Sequence, residues 1–311
     1  MNSKQVVLIT GSSTGFGRLF AHTLARNGHT VFATMRELGG RNAKNASAIR
    51  ALAEKDSLPI YVLELDVTDD ASVERAVDAA IGKAGRIDVA INNAGYVVSG
   101  LAEAVTTEQA QRLMDTNFFG PVRVNRAVLP HMRRQFSGVL MHISSGAGRI
   151  IAPSMGFYCA SKFALEALAE AYRYELAAQG IESVIVEPGP YETPVVGNMV
   201  RAADEARTDT YGAVKQTPAK VSAALSSVTG NAQDVADAVL RIIETPAGEK
   251  QLRYLVSPES FGVDQINALS EQVQARVLEA FGLAADTRFL KGKASAAFSN
   301  THQTQRRARQ G

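Results

Sequence analysis

The chain has 311 residues and a hydrophobic fraction of 46%, which is enough for a sizeable core. Its 33 basic and 31 acidic side chains leave a net charge of +2, which argues against nucleic acid or an acidic membrane as a partner. The single cysteine, Cys159, excludes an intrachain disulfide, and the five histidines lack metal-ligand spacing, so we expect no metal site. Without a secretory leader or an apolar run near the ~20 residues that span a bilayer, we expect a cytoplasmic protein with no membrane span.

Strand-like and helix-like segments alternate along the whole chain. Short β-branched or apolar runs predict seven strands, at residues 5–10, 30–35, 59–65, 89–91, 139–143, 182–186 and 252–256. Helical periodicity predicts helices at 19–25, within 41–55, and at 71–84, 108–136, 163–179, 234–244 and 269–281. Pro121 is expected to kink the long helix at 108–136. The alternation predicts an α/β fold with one doubly wound parallel sheet and right-handed crossovers.

A glycine-rich turn follows the first predicted strand, and a predicted helix follows the turn. Gly11, Gly15 and Gly17 allow the backbone to approach a pyrophosphate closely, and the helix N-terminus supplies N–H groups for it. The alternative is a glycine-rich turn without a ligand. The other residues of the turn that we assign to cofactor binding are Ser13, Thr14 and Phe16.

The second predicted strand ends in the sequence Thr34-Met35-Arg36. Folds of this kind that bind NAD usually carry Asp or Glu near this point, to hold the ribose 2′-hydroxyl. Thr34 stands where we expect that acid, and the Arg36 guanidinium suits a 2′-phosphate. The sequence therefore predicts NADP(H) as the cofactor. The alternative is that Arg36 is a surface charge beside Glu37.

Tyr158 and Lys162 stand four residues apart where a helix is predicted, so their side chains share one face. A phenol titrates near pH ~10, and a neighbouring ammonium lowers that pKa. The pair is therefore predicted to move a proton on or off an alcohol oxygen. The alternative is two helix-surface neighbours without a function. Cys159, between them, is interpreted as a small packing residue.

Taken together, the motifs resemble those of the short-chain dehydrogenase/reductase family over residues 5–256. They are TGSSTGFG at 10–17, NNAG at 92–95, Asn117, Ser145, YCASK at 158–162 and PGPYET at 188–193. YCASKFALEALAE and the ATMR ending of the second strand resemble the 17β-hydroxysteroid and retinol dehydrogenase subgroup. The resemblance implies a single-domain Rossmann fold with strand order 3-2-1-4-5-6-7 and helices on both faces.

The resemblance also implies a role for each matching residue. Tyr158 would be the general acid/base, and Lys162 would lower its pKa and hold the nicotinamide ribose. Ser145, rather than Ser144, would hydrogen-bond the substrate oxygen. Asn117 would hold a water in a proton relay behind Lys162. The remaining implied cofactor contacts are Asp66 and Val67 at the adenine, Asn93, Ala94 and Gly95 at the ribose, and Pro188, Gly189 and Thr193 at the nicotinamide.

The C-terminal third is predicted to complete the substrate site. We expect residues 1–290 to form one catalytic domain with a mobile flap at about 194–230, and 291–311 to be a flexible basic tail. The alternative for the flap is a permanently ordered insertion. Its apolar members suit a bulky apolar substrate; they include Val195, Val196, Met199 and Tyr211.

The function predicted is hydride transfer between NADP(H) and a carbonyl or secondary alcohol, in a homodimer or homotetramer. One alternative is a catalytically idle NADP(H)-binding regulator on the same fold, because a fold does not fix a function. Four matching catalytic positions argue against it. A second alternative is an enoyl or imine reductase, against which Ser145 argues as a carbonyl partner.

Overall fold

The alternation of strands and helices is present in the computed structural model, which describes residues 4–191, 199–227 and 230–291. The strands of this part of the chain are β1 (Val6–Ile9), β2 (Thr30–Met35), β3 (Ile60–Glu64), β4 (Val89–Asn92), β5 (Val98–Ser99), β6 (Gly138–Ile143), β7 (Ile181–Pro188), β8 (Val200–Arg201) and β9 (Arg253–Val256). The α-helices are α1 (Gly15–Arg26), α2 (Ala43–Lys55), α3 (Asp70–Ala84), α4 (Thr107–Met114), α5 (Gly120–Gln135), α6 (Gly156–Glu175), α7 (Glu205–Asp209), α8 (Thr217–Ser227), α9 (Gln233–Glu244) and α10 (Val263–Ala280).

Seven of these strands form one parallel sheet in the order β3-β2-β1-β4-β6-β7-β9. Counted among themselves, they run 3-2-1-4-5-6-7, so the predicted order is confirmed. The central strands are apolar at nearly every position because helices cover both faces of a parallel sheet. Phe20 of α1 and Ile49 of α2 belong to the core on one face, and Val77 of α3 and Met132 of α5 to the core on the other.

The strand order reverses between β1 and β4, whose neighbouring strands lie on opposite sides. Both strands end at the same edge of the sheet, and there the Thr10 hydroxyl receives hydrogen bonds from the backbone N–H groups of Asn93 and Ala94, each at 3.0 Å. In open sheets of this type, ligands bind in the crevice outside the carboxyl ends of the strands, at this switch point. The topology therefore fixes where a site is to be sought.

The long helix predicted at 108–136 is interrupted. A capping box of Thr106 and Gln109 begins α4, and a π-helical turn, Asp115–Phe119, separates α4 from α5. Pro121 lies at the start of α5 and has no N–H to donate to the preceding turn, so the chain widens just before it. The predicted kink is thus a π turn, and that turn carries Asn117.

The C-terminal helix begins at Val263 rather than at residue 269, after Gly262 at a φ of 80°. The first turns of this helix are polar, so hydrophobic periodicity did not predict them. Val263 and Asn267 are nevertheless buried against the domain. The Asn267 side-chain amide donates a hydrogen bond to Glu187 Oε2 at 2.6 Å, so α10 is tied to the end of β7.

Within residues 4–191, 199–227 and 230–291, no helix combines the length and apolarity needed to cross a bilayer. The same residues contain no group of three or more His, Cys, Asp or Glu side chains that could hold a metal ion. Residues 292–311 of the predicted tail and the flap members Val195 and Val196 lie outside the described residues. The expected homo-oligomer stays a prediction.

Candidate active site

A cleft of about 860 Å³ lies outside the carboxyl ends of the strands. Most of the predicted site residues line it: Gly11, Ser13, Thr14, Gly15, Phe16, Arg36, Asp66, Val67, Asn93, Ala94, Gly95, Ser145, Tyr158, Lys162, Pro188 and Gly189. Gly17 and Asn117 stand behind this wall, and Thr193 lies outside the described residues.

The glycine-rich turn is held against the end of β4. Gly11 has a φ of 69°, and a Cβ there would stand 2.8 Å from Ala94 Cα. The Asn93 side-chain amide donates to the carbonyl oxygens of Thr10 at 2.9 Å and Gly11 at 3.0 Å. Asn93 lines the cleft, as predicted, but its amide is engaged in bracing the turn, a function that sequence reasoning missed.

The N-terminus of α1 fits an anionic group. Its N-cap residue, Thr14, makes no side-chain cap hydrogen bond, and no acidic residue stands in the first turn. The helix dipole and its first N–H groups therefore face the cleft without a competing carboxylate from α1 itself. This donor set is the one that a pyrophosphate requires.

We expect Gly17→Ala to weaken NADPH binding at least tenfold. A Cβ at Gly17 would stand 2.4 Å from Gly11 O and 2.5 Å from Asn93 Nδ2, so the backbone of the turn must move. Titration of cofactor fluorescence measures the effect. Gly82→Ala, in the interior of α3 with nothing within 4 Å of its Cβ, is the matched control and should bind NADPH normally. Equal binding by both variants would contradict the role of the turn.

The end of β2 corrects one expectation. The Thr34 side chain is fully buried and donates to Ile9 O at 2.9 Å, so it does not face a cofactor. Met35 and Arg36 line the cleft instead. Arg36 is half exposed, with Nη1 3.8 Å from Asp66 Oδ2 and Nε 3.7 Å from Glu37 Oε1. An acid that is to meet the ribose would therefore replace Met35, not Thr34.

A second guanidinium lines the same end of the cleft. Arg41 and Asn42 follow Arg36 in the loop before α2, and Asn42 is the N-cap residue of that helix. The Asn42 amide donates to Arg36 O at 2.8 Å, which links the loop to the end of β2. The sequence analysis assigned Arg41 to a polar segment and did not name it as a site residue. Its position five residues after Arg36 is the signal that could have identified it.

Tyr158 and Lys162 lie inside α6, which begins at Gly156 and ends at Glu175 rather than spanning 163–179. Both side chains line the cleft, with Lys162 Nζ 5.8 Å from the centroid of the Tyr158 ring. Lys162 Nζ also donates to Ile143 O at 2.8 Å. Ser145 lines the same cleft, and its side chain is close enough to Tyr158 to influence the phenol, so the three predicted groups meet at one place.

Burial dominates the electrostatics of the pair. Burial raises the pKa of Tyr158 to about 12, and the nearby Ser145 side chain opposes this only in part. Burial also lowers the pKa of Lys162 to about 8, against the charge of Glu166. In the protein alone desolvation is therefore the largest influence on the pKa of Tyr158, and the lowering expected from Lys162 stays a prediction.

Asn117 is buried behind Gly95. Its Nδ2 donates to Tyr96 O at 3.0 Å and to Ser161 Oγ at 3.1 Å, while its Oδ1 accepts from Tyr96 N at 3.1 Å. A Cβ at Gly95 would stand 3.1 Å from Asn117 Oδ1 and 3.9 Å from Lys162 Nζ, so the two groups are near neighbours. The water relay remains a prediction.

The end of the cleft beyond Tyr158 is largely apolar. Met199 lines it, as the flap prediction required, whereas the Tyr211 hydroxyl points elsewhere and donates to Glu103 Oε2 at 2.7 Å. α8 and the C-terminal extension add wall residues that sequence reasoning did not assign to the site. The apolar wall residues here are Val97, Ile150, Ala152, Met155, Met199, Leu225, Phe261 and Val263.

Both the sequence and the fold of this chain are similar to those of known proteins. The family model described as short chain dehydrogenase matches residues 5–204. The chain is 35% identical over 258 residues to a 3-ketodihydrosphingosine reductase of Bacteroides thetaiotaomicron, covering 83% of this chain and 81% of that protein. It is 36% identical over 265 residues to human retinol dehydrogenase 8, covering 82% and 83%. The solved structure of ElxO with NADP bound matches with a TM-score of 0.68 and 25% identity, covering 85% of this chain and all of that one.

Proposed function

The chain belongs to the short-chain dehydrogenase family and is an oxidoreductase, and from this we propose that it reduces a bulky apolar ketone or aldehyde, or oxidises the matching alcohol, with NADP(H). The observation that carries the proposal is the meeting of the Tyr158, Ser145 and Lys162 side chains in the cleft beside the glycine-rich turn.

Each of these side chains has a chemical task in the proposal. The Tyr158 hydroxyl moves the proton on the substrate oxygen, and the Ser145 hydroxyl holds that oxygen by a hydrogen bond. Lys162, buried except towards the cleft, supplies a positive charge that favours the alkoxide or phenolate formed during the reaction. Asn117 is proposed to hold a water behind Lys162.

The pKa of Tyr158 supports carbonyl reduction as the reaction at neutral pH. Because burial raises that pKa to about 12, the phenol keeps its proton and is ready to donate it. Oxidation needs the phenolate as a base, and the Lys162 charge would have to overcome the cost of burial to form it. We therefore expect reduction to be the faster direction near pH 7.

The cofactor proposed is NADP(H), which supplies or accepts the hydride when it is bound. The N-terminus of α1 would hold its pyrophosphate, and Arg36 with Arg41 would hold the 2′-phosphate. Asp66 and Val67 would contact the adenine, and Pro188 and Gly189 the nicotinamide. The NADP-bound structural relative supports a nicotinamide dinucleotide in this fold.

The apolar wall beyond Tyr158 supports a bulky apolar substrate. Its residues offer no buried charge to a small polar acid, and contact with extended apolar surface is what they favour. Two relatives are named for retinol and for 3-ketodihydrosphingosine. We propose the same class for this chain.

A panel of aldehydes, ketones and secondary alcohols of increasing apolar length tests the proposal, with nicotinamide absorbance followed for NADPH and NADH. We expect kcat/KM with NADPH to rise with apolar length, since each buried CH₂ group contributes about 0.8 kcal/mol. NADPH binding without turnover of any compound would favour the idle regulator instead. Turnover confined to C=C or C=N substrates would favour the enoyl or imine reductase.

A further inference from the structure

Four side chains stand at every fourth residue along one face of α6: Tyr158, Lys162, Glu166 and Glu170. The first two line the cleft, whereas Glu166 lies one helical turn beyond Lys162 and is 1% exposed. A carboxylate buried so deeply is costly unless hydrogen bonds and opposite charges surround it. The hydrogen bonds and charges around Glu166 therefore indicate its role in the site.

The two oxygens of Glu166 join α6 to two other elements. Oε1 accepts a hydrogen bond from Ser144 Oγ at 2.8 Å, and Oε2 accepts one from Arg253 Nε of β9 at 3.2 Å. Ser144 is buried and directly precedes Ser145. In the same loop, a Cβ at Gly148 would stand 2.4 Å from Glu166 Oε1. The loop that carries Ser145 is thus held against α6 at Glu166.

Glu166 also acts on Lys162 through its charge. Burial lowers the pKa of Lys162 to about 8, and the Glu166 carboxylate opposes that fall. Burial, and then the ammonium charge, lower the pKa of His142 on β6 to about 3, so His142 stays neutral and adds no charge. Removing the Glu166 charge should therefore let Lys162 lose its proton at a lower pH.

Two guanidinium groups balance the acids of α6. Arg149 Nη1 lies 3.7 Å from Glu166 Oε2, and Arg253 Nη2 donates to Glu170 Oε2 at 2.5 Å. All of these side chains are largely buried, so their interactions are weakly screened by salt. Their charges form one cluster directly behind the proposed site.

A third acid adjusts the charge of this cluster. Glu187, at the end of β7, lies 3.7 Å from Arg253 Nε and accepts a hydrogen bond from Asn267 of α10. Burial, and then the charge of Glu166, raise the pKa of Glu187 well above its usual range, which favours its neutral form. If Glu166 lost its charge, Glu187 would ionise more easily and restore the balance. We therefore expect Glu166→Gln to fold.

From this geometry we infer that Glu166 is a positioning residue of the site: it fixes the Ser145 loop against α6 and places a negative charge one helical turn from the Lys162 ammonium. The inference rests on the proposed function for its meaning. The effect of the Glu166 charge on Lys162 can nevertheless be measured without substrate or turnover.

Glu166→Gln tests the charge, because the amide oxygen can still accept from Ser144. We expect Lys162 to titrate about one pH unit lower in this variant than in the wild type. Competitive acetylation with acetic anhydride across pH, read by mass spectrometry at the peptide containing Lys162, measures this in the protein without cofactor. Glu187→Gln is the matched control: it alters a glutamate of the same cluster, but burial and the Glu166 charge are what shift the pKa of Lys162, so the Lys162 midpoint should not move.

Ser144→Ala tests the hydrogen bond, because it keeps the Glu166 charge. With the best substrate of the panel, we expect kcat to fall about tenfold through misplacement of Ser145, with unchanged KM for NADPH and an unchanged Lys162 midpoint. Thermal unfolding of each variant accompanies these measurements, to separate positioning from loss of fold.

An identical Lys162 midpoint in wild type and Glu166→Gln would overturn the inference, as would an equal shift in Glu187→Gln. Wild-type kcat in Ser144→Ala would overturn the positioning part. A wild type without turnover on any substrate would refute the proposed function instead, and the Lys162 titration would still decide the role of the Glu166 charge.

Discussion

Tyr158→Phe should lower kcat/KM at least ~10²-fold and leave NADPH binding within a few-fold of the wild type. The change removes one hydroxyl and keeps the ring that packs in the cleft. That hydroxyl is the proposed proton donor, and Phe has no group to replace it. Ser145 keeps the hydrogen bond from Ala147 N at 3.2 Å, so its loop should hold its place.

Steady-state rates and cofactor fluorescence titrations measure the two effects separately. Tyr61→Phe is the matched control, because the same atom is removed from a partly exposed ring on β3 that does not line the cleft. It should leave both quantities unchanged. A Tyr158→Phe enzyme within a few-fold of wild type would remove Tyr158 from the mechanism, and the acid would have to be sought elsewhere.

The same variant bears on the idle-regulator alternative. A regulator that uses only NADPH binding would show no turnover in the wild type and no change on losing the Tyr158 hydroxyl. An enzyme shows turnover that depends on this hydroxyl while binding persists. The comparison therefore separates the two functions on one fold.

Arg36→Ala should weaken NADPH binding about 10- to 100-fold and leave NADH binding almost unchanged. Charge-assisted hydrogen bonds from a guanidinium to a phosphate are worth roughly 1.5–3 kcal/mol each, and each 1.4 kcal/mol is tenfold in affinity. To reach a phosphate, the Arg36 guanidinium must leave Asp66, which is 3.8 Å away, and this reduces the net gain in binding free energy. Arg41 lines the same end of the cleft and should retain part of the preference.

Dissociation constants for both cofactors, by fluorescence titration at fixed salt, measure this effect. Arg50→Ala, an exposed arginine on α2 outside the cleft, is the matched control for loss of charge. Met35→Asp combined with Arg36→Ala should reverse the preference, because Met35 is the residue of β2 whose position faces the cleft. Equal use of NADH and NADPH by the wild type would show Arg36 to be only a surface charge.

The order of the elements could be read from the sequence because it depends on local pattern. Buried parallel strands read as apolar runs, and the helices between them show a period of 3.6. The glycine-rich turn and the spacing of Tyr158 and Lys162 are likewise local, so their place at a strand end and on one helix face was predictable. The boundaries that failed, at Asn117 and at Val263, lie where a π turn or a polar first turn breaks the pattern.

What only the tertiary structure decided are properties set by residues far apart in the chain. The pKa of Tyr158 depends on how deeply the ring is buried, and burial raises that pKa, which the sequence alone did not indicate. Met35 rather than Thr34 faces the cleft, because the Thr34 side of β2 packs on Ile9. The Glu166 cluster combines side chains from α6, β7, β9 and α10. Desolvation and Coulomb energies depend on distances in space, and the spacing of residues along the sequence does not give these distances.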